Sequence, residues 1–144
     1  MINHIKKIQL TKQNALHAHC LGWLLFITYD AIIGGLVKGS FGALGNYVVH
    51  YMINISLFYF HAVILLPIAL KAGVHSLWRL PLLLASELIL YGCVVYSVDW
   101  ILLAYTNILE INGLNFDRTF IIAYIWRGLY FMLFGTGYYF FRRY

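Results

Sequence analysis

Four apolar blocks divide the sequence, at approximately Leu16–Val37, Leu44–Leu70, Leu80–Tyr105 and Thr119–Phe141. Each exceeds the ~18 residues that mark a membrane-spanning helix. Hydrocarbon offers no water to backbone amides and carbonyls, so a block of this length crosses a bilayer as a helix, with every hydrogen bond made inside the segment. Charged residues make up only 10% of the chain and hydrophobic ones 62%, whereas soluble domains are about 25% charged. The expected fold is an all-α integral membrane protein, one transmembrane domain over residues 1–144. Short connections favour antiparallel neighbours, hence an up-down-up-down four-helix bundle.

The connections carry turn chemistry. The first, Lys38–Ala43, contains Gly39 and Gly42. The second, Lys71–Arg79, contains Gly73 and leads to Pro81, which suits the first turn of the third helix. The third, Thr106–Arg118, has turn signals around Asn112-Gly113 and Asn115. Lysine and arginine set the orientation. Lys6, Lys7, Lys12, Lys71, Arg79, Arg142 and Arg143 fall on one side, and only Lys38 and Arg118 on the other. Both termini and the second connection are therefore expected in the cytoplasm. Trp78, Tyr138, Tyr139 and Tyr144 then mark the inner interface, and Tyr47, Trp100 and Tyr105 the outer one.

Several classes are excluded on composition. The net charge of +5 comes from few, scattered basic residues, with no basic stripe for nucleic acid. Cys20 and Cys93 lie in apolar blocks without disulfide or zinc spacing and read as small buried hydrophobes. The Lys6-Lys7 start imitates a signal peptide, but the following apolar run is too long, contains Asp30 and lacks a small-x-small cleavage site.

The informative residues are the polar ones at membrane depth. Asn46 to Leu70 carries His50, Asn54 and His61, which fall within roughly 40° of one another on a helix. Polar groups are costly in hydrocarbon, so such a line faces protein or water. Asp30, Glu87, Asp99 and Arg127 complete the set. Arg127 and Asp30 lie about 12 and 10 Å in from the outer ends of their helices, and Glu87 and His61 comparably deep from the inner side. Depth alone pairs Asp30 with Arg127, His61 with Glu87, and His50 with Asp99. Intramembrane amides and imidazoles commonly serve only to fasten helices, at ~0.6 kcal/mol on average. Buried ionisable groups such as Glu87 and Arg127 point to function more strongly.

Cofactor chemistry finds little support. Bis-histidine haem needs imidazoles on two facing helices, but His50 and His61 share one and lie about 16 Å apart along it. A His19–His61 pair is the remaining combination, and no haem is expected. His4 and His75 fall in cytoplasmic segments, and His17 and His19, two residues apart, face different ways and suit no zinc site. No nucleophile–base motif, P-loop or glycine-rich nucleotide turn occurs. Gly35-x-x-x-Gly39 matches the small-xxx-small pattern of helix dimers, at a helix end.

Three stretches carry a family resemblance. Tyr51-Met52-Ile53-Asn54-Ile55-Ser56-Leu57-Phe58-Tyr59-Phe60-His61 followed by Pro67, then Arg127-Gly128-Leu129-Tyr130-Phe131 with Gly135-Thr136-Gly137-Tyr138-Tyr139, and more loosely Gly22-Trp23-Leu24-Leu25-Phe26-Ile27 with Tyr29-Asp30, resemble the membrane region of LytS/YehU-like sensor histidine kinases of Bacteroidetes. The resemblance covers three of the four blocks in order. It implies a homodimer whose last membrane helix continues into a cytoplasmic phosphoacceptor segment and an ATP-binding domain, acting on a response regulator. These 144 residues contain neither part, so no enzymatic activity is expected of them alone, and the resemblance implies either the sensor portion of a truncated kinase or a stand-alone relative.

The expected function is thus a signal-input module. His50, Asn54, His61, Glu87, Arg127, Asp30 and Asp99 would sense or couple. The alternatives are a small proton- or redox-linked transporter using His61 and Glu87 as a relay, and a structural subunit. The expected surroundings are membrane lipid, without nucleic acid.

Overall fold

The computed structural model describes residues 2–71, 76–106 and 117–143. They form α1 (Ile2–Lys38), α2 (Leu44–Tyr59), a π-helical turn (Phe60–Leu65), α3 (Leu66–Leu70), α4 (Ser76–Tyr105) and α5 (Arg118–Arg143). No strand occurs among the described residues. Among the described residues, four segments are long and apolar enough to cross a membrane: His17–Val37, Leu44–Leu70, Trp78–Tyr105 and Arg118–Arg143. The chain is a helical membrane protein. Gly73, His75 and the turns expected around Asn112-Gly113 and Asn115 lie outside the described residues, as do the side chains of His4, Lys6, Lys7 and Lys12.

The chain divides into two compact units, Met1–Gly42 and Ala43–Tyr144. The first consists of α1 and its cap. Gly39 has φ +69°, the left-handed conformation that ends a helix at little cost when no Cβ is present. A largely polar stretch precedes the expected start at Leu16, and the helix runs through it from Ile2. A Cβ on Gly35 would overlap the Phe41 ring. Both glycines of the small-xxx-small pattern therefore have local roles, one closing the helix and one admitting Phe41.

The second unit contains the remaining helices. Its centre is the rod formed by α2, the π turn and α3. In its most apolar window 44% of residues are buried, against 28% in α4 and 22% in α5, so this rod is the element the others pack around. Tyr51, Asn54, Phe58, His61, Leu65 and Ala69 form its buried stripe, at the three-to-four spacing of one helix face. On α5 the corresponding stripe is Gly128, Phe131, Met132, Gly135 and Tyr139.

Two departures from the regular helices expected bear on the site. Pro67 has no N–H to give the carbonyl four residues back and crowds it with its ring. Just upstream the rod widens into the π turn, where the Leu66 N–H reaches the His61 carbonyl five residues earlier. The third span also begins earlier than expected, at Ser76, which places Pro81 inside α4. So close to the helix start, the proline costs one backbone hydrogen bond with little preceding helix to kink.

The cysteines correct the reading from apolar context. Cys20 and Cys93 are exposed. In a membrane protein the outer surface is as apolar as the core, so an apolar neighbourhood does not report burial.

Candidate functional site

Three polar contacts join the central rod to α4. His50 Nε2 lies 3.0 Å from Asp99 Oδ1. The Tyr91 hydroxyl donates to Asn54 Oδ1 at 2.7 Å. His61 Nδ1 lies 2.7 Å from Glu87 Oε2. The partners fall in reverse order along the two helices, as rungs of one ladder. His50–Asp99 and His61–Glu87 are the contacts that depth in the membrane pairs. Arg127 lies over the Tyr51 ring at 5.4 Å and the Phe131 ring at 5.6 Å, a distance at which a cation is attracted by the aromatic face. Asp30 lies on α1, in the other unit.

The rungs differ in enclosure. At His61–Glu87 both side chains are 1% exposed, whereas His50 and Asp99 are 31% and 11% exposed. Asp99 Oδ1 sits at ion-pair distance from His50 without an aligned hydrogen bond. The inner rung is therefore the water-excluded one, where a lost partner is most costly.

The inner rung is also tied to α5. His61 Nε2 lies 2.9 Å from Thr136 Oγ1, and the Thr136 hydroxyl donates to the Met132 carbonyl at 2.9 Å. Glycine makes this approach possible. A Cβ on Gly135 would lie 3.1 Å from His61 Cδ2 and 3.1 Å from the Phe58 carbonyl oxygen, tighter than ordinary van der Waals contact. Without it α5 closes onto the π turn, and the adjacent Thr136 reaches the imidazole. Phe58 and Tyr138 pack beside the contact, with ring centroids 5.3 Å apart.

These bonds determine where the protons are. A hydroxyl has one proton, and that of Thr136 is used on Met132. Thr136 must then accept from His61, so Nε2 carries a proton. At Nδ1 either a second proton faces a carboxylate, or the bare nitrogen accepts from a protonated Glu87. In both cases one proton is shared between His61 Nδ1 and Glu87 Oε2. At the outer rung His50 Nδ1 lies 3.1 Å from the Asn46 carbonyl oxygen, which can only accept, so Nδ1 carries a proton there. Glu87 Oε1 is buried and has no hydrogen-bond partner among the described residues, a deficit typically worth about 1–3 kcal/mol.

Both ring nitrogens of His61 are thus engaged. Among the described residues, no three His, Cys, Asp or Glu side chains group as a metal ion would require. Tyr91, Thr136 and Gly135 take part in the site without standing out in the sequence as polar intramembrane residues. Tyr91 lies one turn beyond Glu87 on the same face of α4, and Thr136 is flanked by Gly135 and Gly137. Those spacings are the available signals. Comparison of the chain with protein-family models, curated proteins and solved structures finds no match in any of the three.

Proposed function

We propose that the chain is a transmembrane signal-input module in which the His61–Glu87–Thr136 cluster couples three membrane spans. One observation carries this reading: a single imidazole in a π turn bonds to α4 through Glu87 and to α5 through Thr136. Single π turns interrupt α-helices frequently at functional sites. A stimulus in the membrane or periplasm that altered this junction would shift α5 against the central rod, and packed helices respond to such changes by discrete movements of one to two ångströms. The output would leave through the cytoplasmic end of α5. The proposed topology is up-down-up-down, with both termini in the cytoplasm of a bacterial inner membrane; the reverse order of the three rungs and the lysine–arginine asymmetry support it. The resemblance to sensor histidine kinases supplies the proposed output, a homodimeric kinase region beyond Tyr144 acting on a response regulator. His50, Asn54, Asp99 and Arg127 would set the register of the spans, and Asp30 is the corresponding intramembrane carboxyl of α1.

The test compares wild type with Glu87→Gln and His61→Gln. Spin labels at Val63→Cys and Phe141→Cys, with Cys20 and Cys93 replaced by serine, report the distance between rod and α5 in liposomes. A changed distance distribution in the variants is expected. Unchanged distances with lowered stability would leave the cluster as a fastener in a structural subunit. The shared proton and the open Glu87 Oε1 favour one second reading, a proton-linked transporter. Proton uptake into liposomes that disappears in Glu87→Gln would select it.

A further inference from the structure

A cleft of about 260 Å³ opens where the end of the central rod meets the end of α5, lined by Ala62, Val63, Pro67, Tyr138, Tyr139, Arg142 and Arg143. Its character changes along its length. Val63 is an exposed apolar side chain, and Ala62 belongs to a small buried cluster with Leu66 and Tyr139. The other end is cationic. Arg143 donates to the Tyr139 hydroxyl and stacks over the Tyr139 ring at 5.7 Å, which holds its guanidinium beside the cleft. Arg142 has no hydrogen-bond or ion-pair partner among the described residues. The five acidic residues of the chain lie elsewhere, none within 62–71 or 138–143. The lining therefore consists of an apolar wall, two tyrosines and two arginines, with no acidic side chain among these residues. Its volume falls just below the ~300 Å³ at which drug-sized pockets begin, so it suits a head group rather than a whole large ligand.

We propose that this cleft binds the phosphate of an anionic phospholipid, with an acyl chain laid along Val63 and Pro67. Arginine pairs recognise phosphate through planar, charge-assisted hydrogen bonds. Basic pockets between membrane helices on the cytoplasmic side bind anionic head groups, and Lys71 one turn beyond Pro67 places the same charge at this end of the rod. An apolar wall continuous with exposed Val63, Ile64 and Ile68 suits an acyl chain and gives a free phosphate ion nothing to gain. The proposal is independent of the signalling reading, since a transporter or a structural subunit would bind the lipid equally well.

The experiment is native mass spectrometry of the full chain released from detergent micelles containing equal dioleoyl phosphatidylglycerol and dioleoyl phosphatidylcholine. Two basic contacts at a membrane surface correspond to a roughly thirtyfold preference for the anionic lipid. Arg142→Gln with Arg143→Gln should bring retention of the two lipids close to equal. Arg79→Gln with Arg118→Gln removes the same charge outside the cleft and should leave the preference largely intact. Val63→Trp keeps the arginines but fills the cleft, and should reduce retention. Equal retention of the two lipids by wild type would overturn the proposal, as would equal losses in both double variants. Displacement of phosphatidylglycerol by millimolar inorganic phosphate would assign the site to a free anion instead.

Discussion

Removing one member of the His61–Glu87 pair should cost more than removing both. Each side chain is 1% exposed, so water cannot replace a lost partner. His61→Leu leaves Glu87 with neither oxygen hydrogen-bonded to a described residue, because Oε1 has no partner among them even in the intact site. Breaking a buried pair in this way costs about 3–5 kcal/mol. Glu87→Leu is milder. The imidazole keeps its bond to Thr136 and loses the contact at Nδ1, a deficit of about 1–3 kcal/mol. The double variant removes the carboxyl and the imidazole together, and Thr136 keeps its bond to Met132. Apolar replacement of a whole buried pair is often close to neutral. The double variant should therefore be more stable than His61→Leu alone by at least ~2 kcal/mol. Ordinary interhelical hydrogen bonds in membranes average only ~0.6 kcal/mol, so a coupling this large distinguishes an uncompensated carboxyl from a simple fastener. Equilibrium unfolding in mixed micelles, followed by circular dichroism while the denaturing detergent fraction rises, measures all four corners of the cycle. Additivity within ~0.5 kcal/mol would refute the reasoning. Glu87→Gln offers a donor to Nδ1 and should cost no more than about 1 kcal/mol in the same assay.

Three further outcomes are expected. Gly135→Ala should destabilise by about 1–3 kcal/mol through overpacking against His61 and Phe58, whereas Gly137→Ala, whose Cβ would meet nothing within 4 Å, should be neutral or stabilising by up to ~1 kcal/mol; the same unfolding assay compares them, and equal effects would contradict the close approach of α5 to the π turn. Tyr91→Phe strips the buried Asn54 Oδ1 of its donor and should cost between ~0.6 and ~1.7 kcal/mol, the range for hydrogen bonds between membrane helices. Fusions at the carboxyl end should give fluorescent green protein and inactive alkaline phosphatase, and the reverse pattern would overturn the cytoplasmic assignment.

Much of the site is legible in the amino-acid sequence, and the reason is the cost of polarity in hydrocarbon. Long apolar blocks leave the chain little choice but membrane helices, and the few polar residues inside them must find one another. Depth in the bilayer then narrows the partners, since two groups at different depths cannot meet. His61 with Glu87 and His50 with Asp99 follow from this reasoning. Depth gives no azimuth, however. Tyr91 and Thr136 enter the site because of the face they occupy, and an aromatic or a threonine in a membrane helix is too common to stand out.

The sequence alone determined that this is a helical membrane protein with four blocks long and apolar enough to cross a bilayer and a polar line on the second, because burial in lipid is dictated by composition and length. Only the tertiary structure decided what that line does. Pro67 opens a π turn around His61, and the bare face of Gly135 lets α5 close onto it. Thr136 then commits its one proton to Met132 and so fixes the tautomer of the imidazole. The meeting of α5 with the π turn depends on contacts of 2.9 to 3.1 Å between residues up to 75 positions apart, and no local pattern in the chain encodes it.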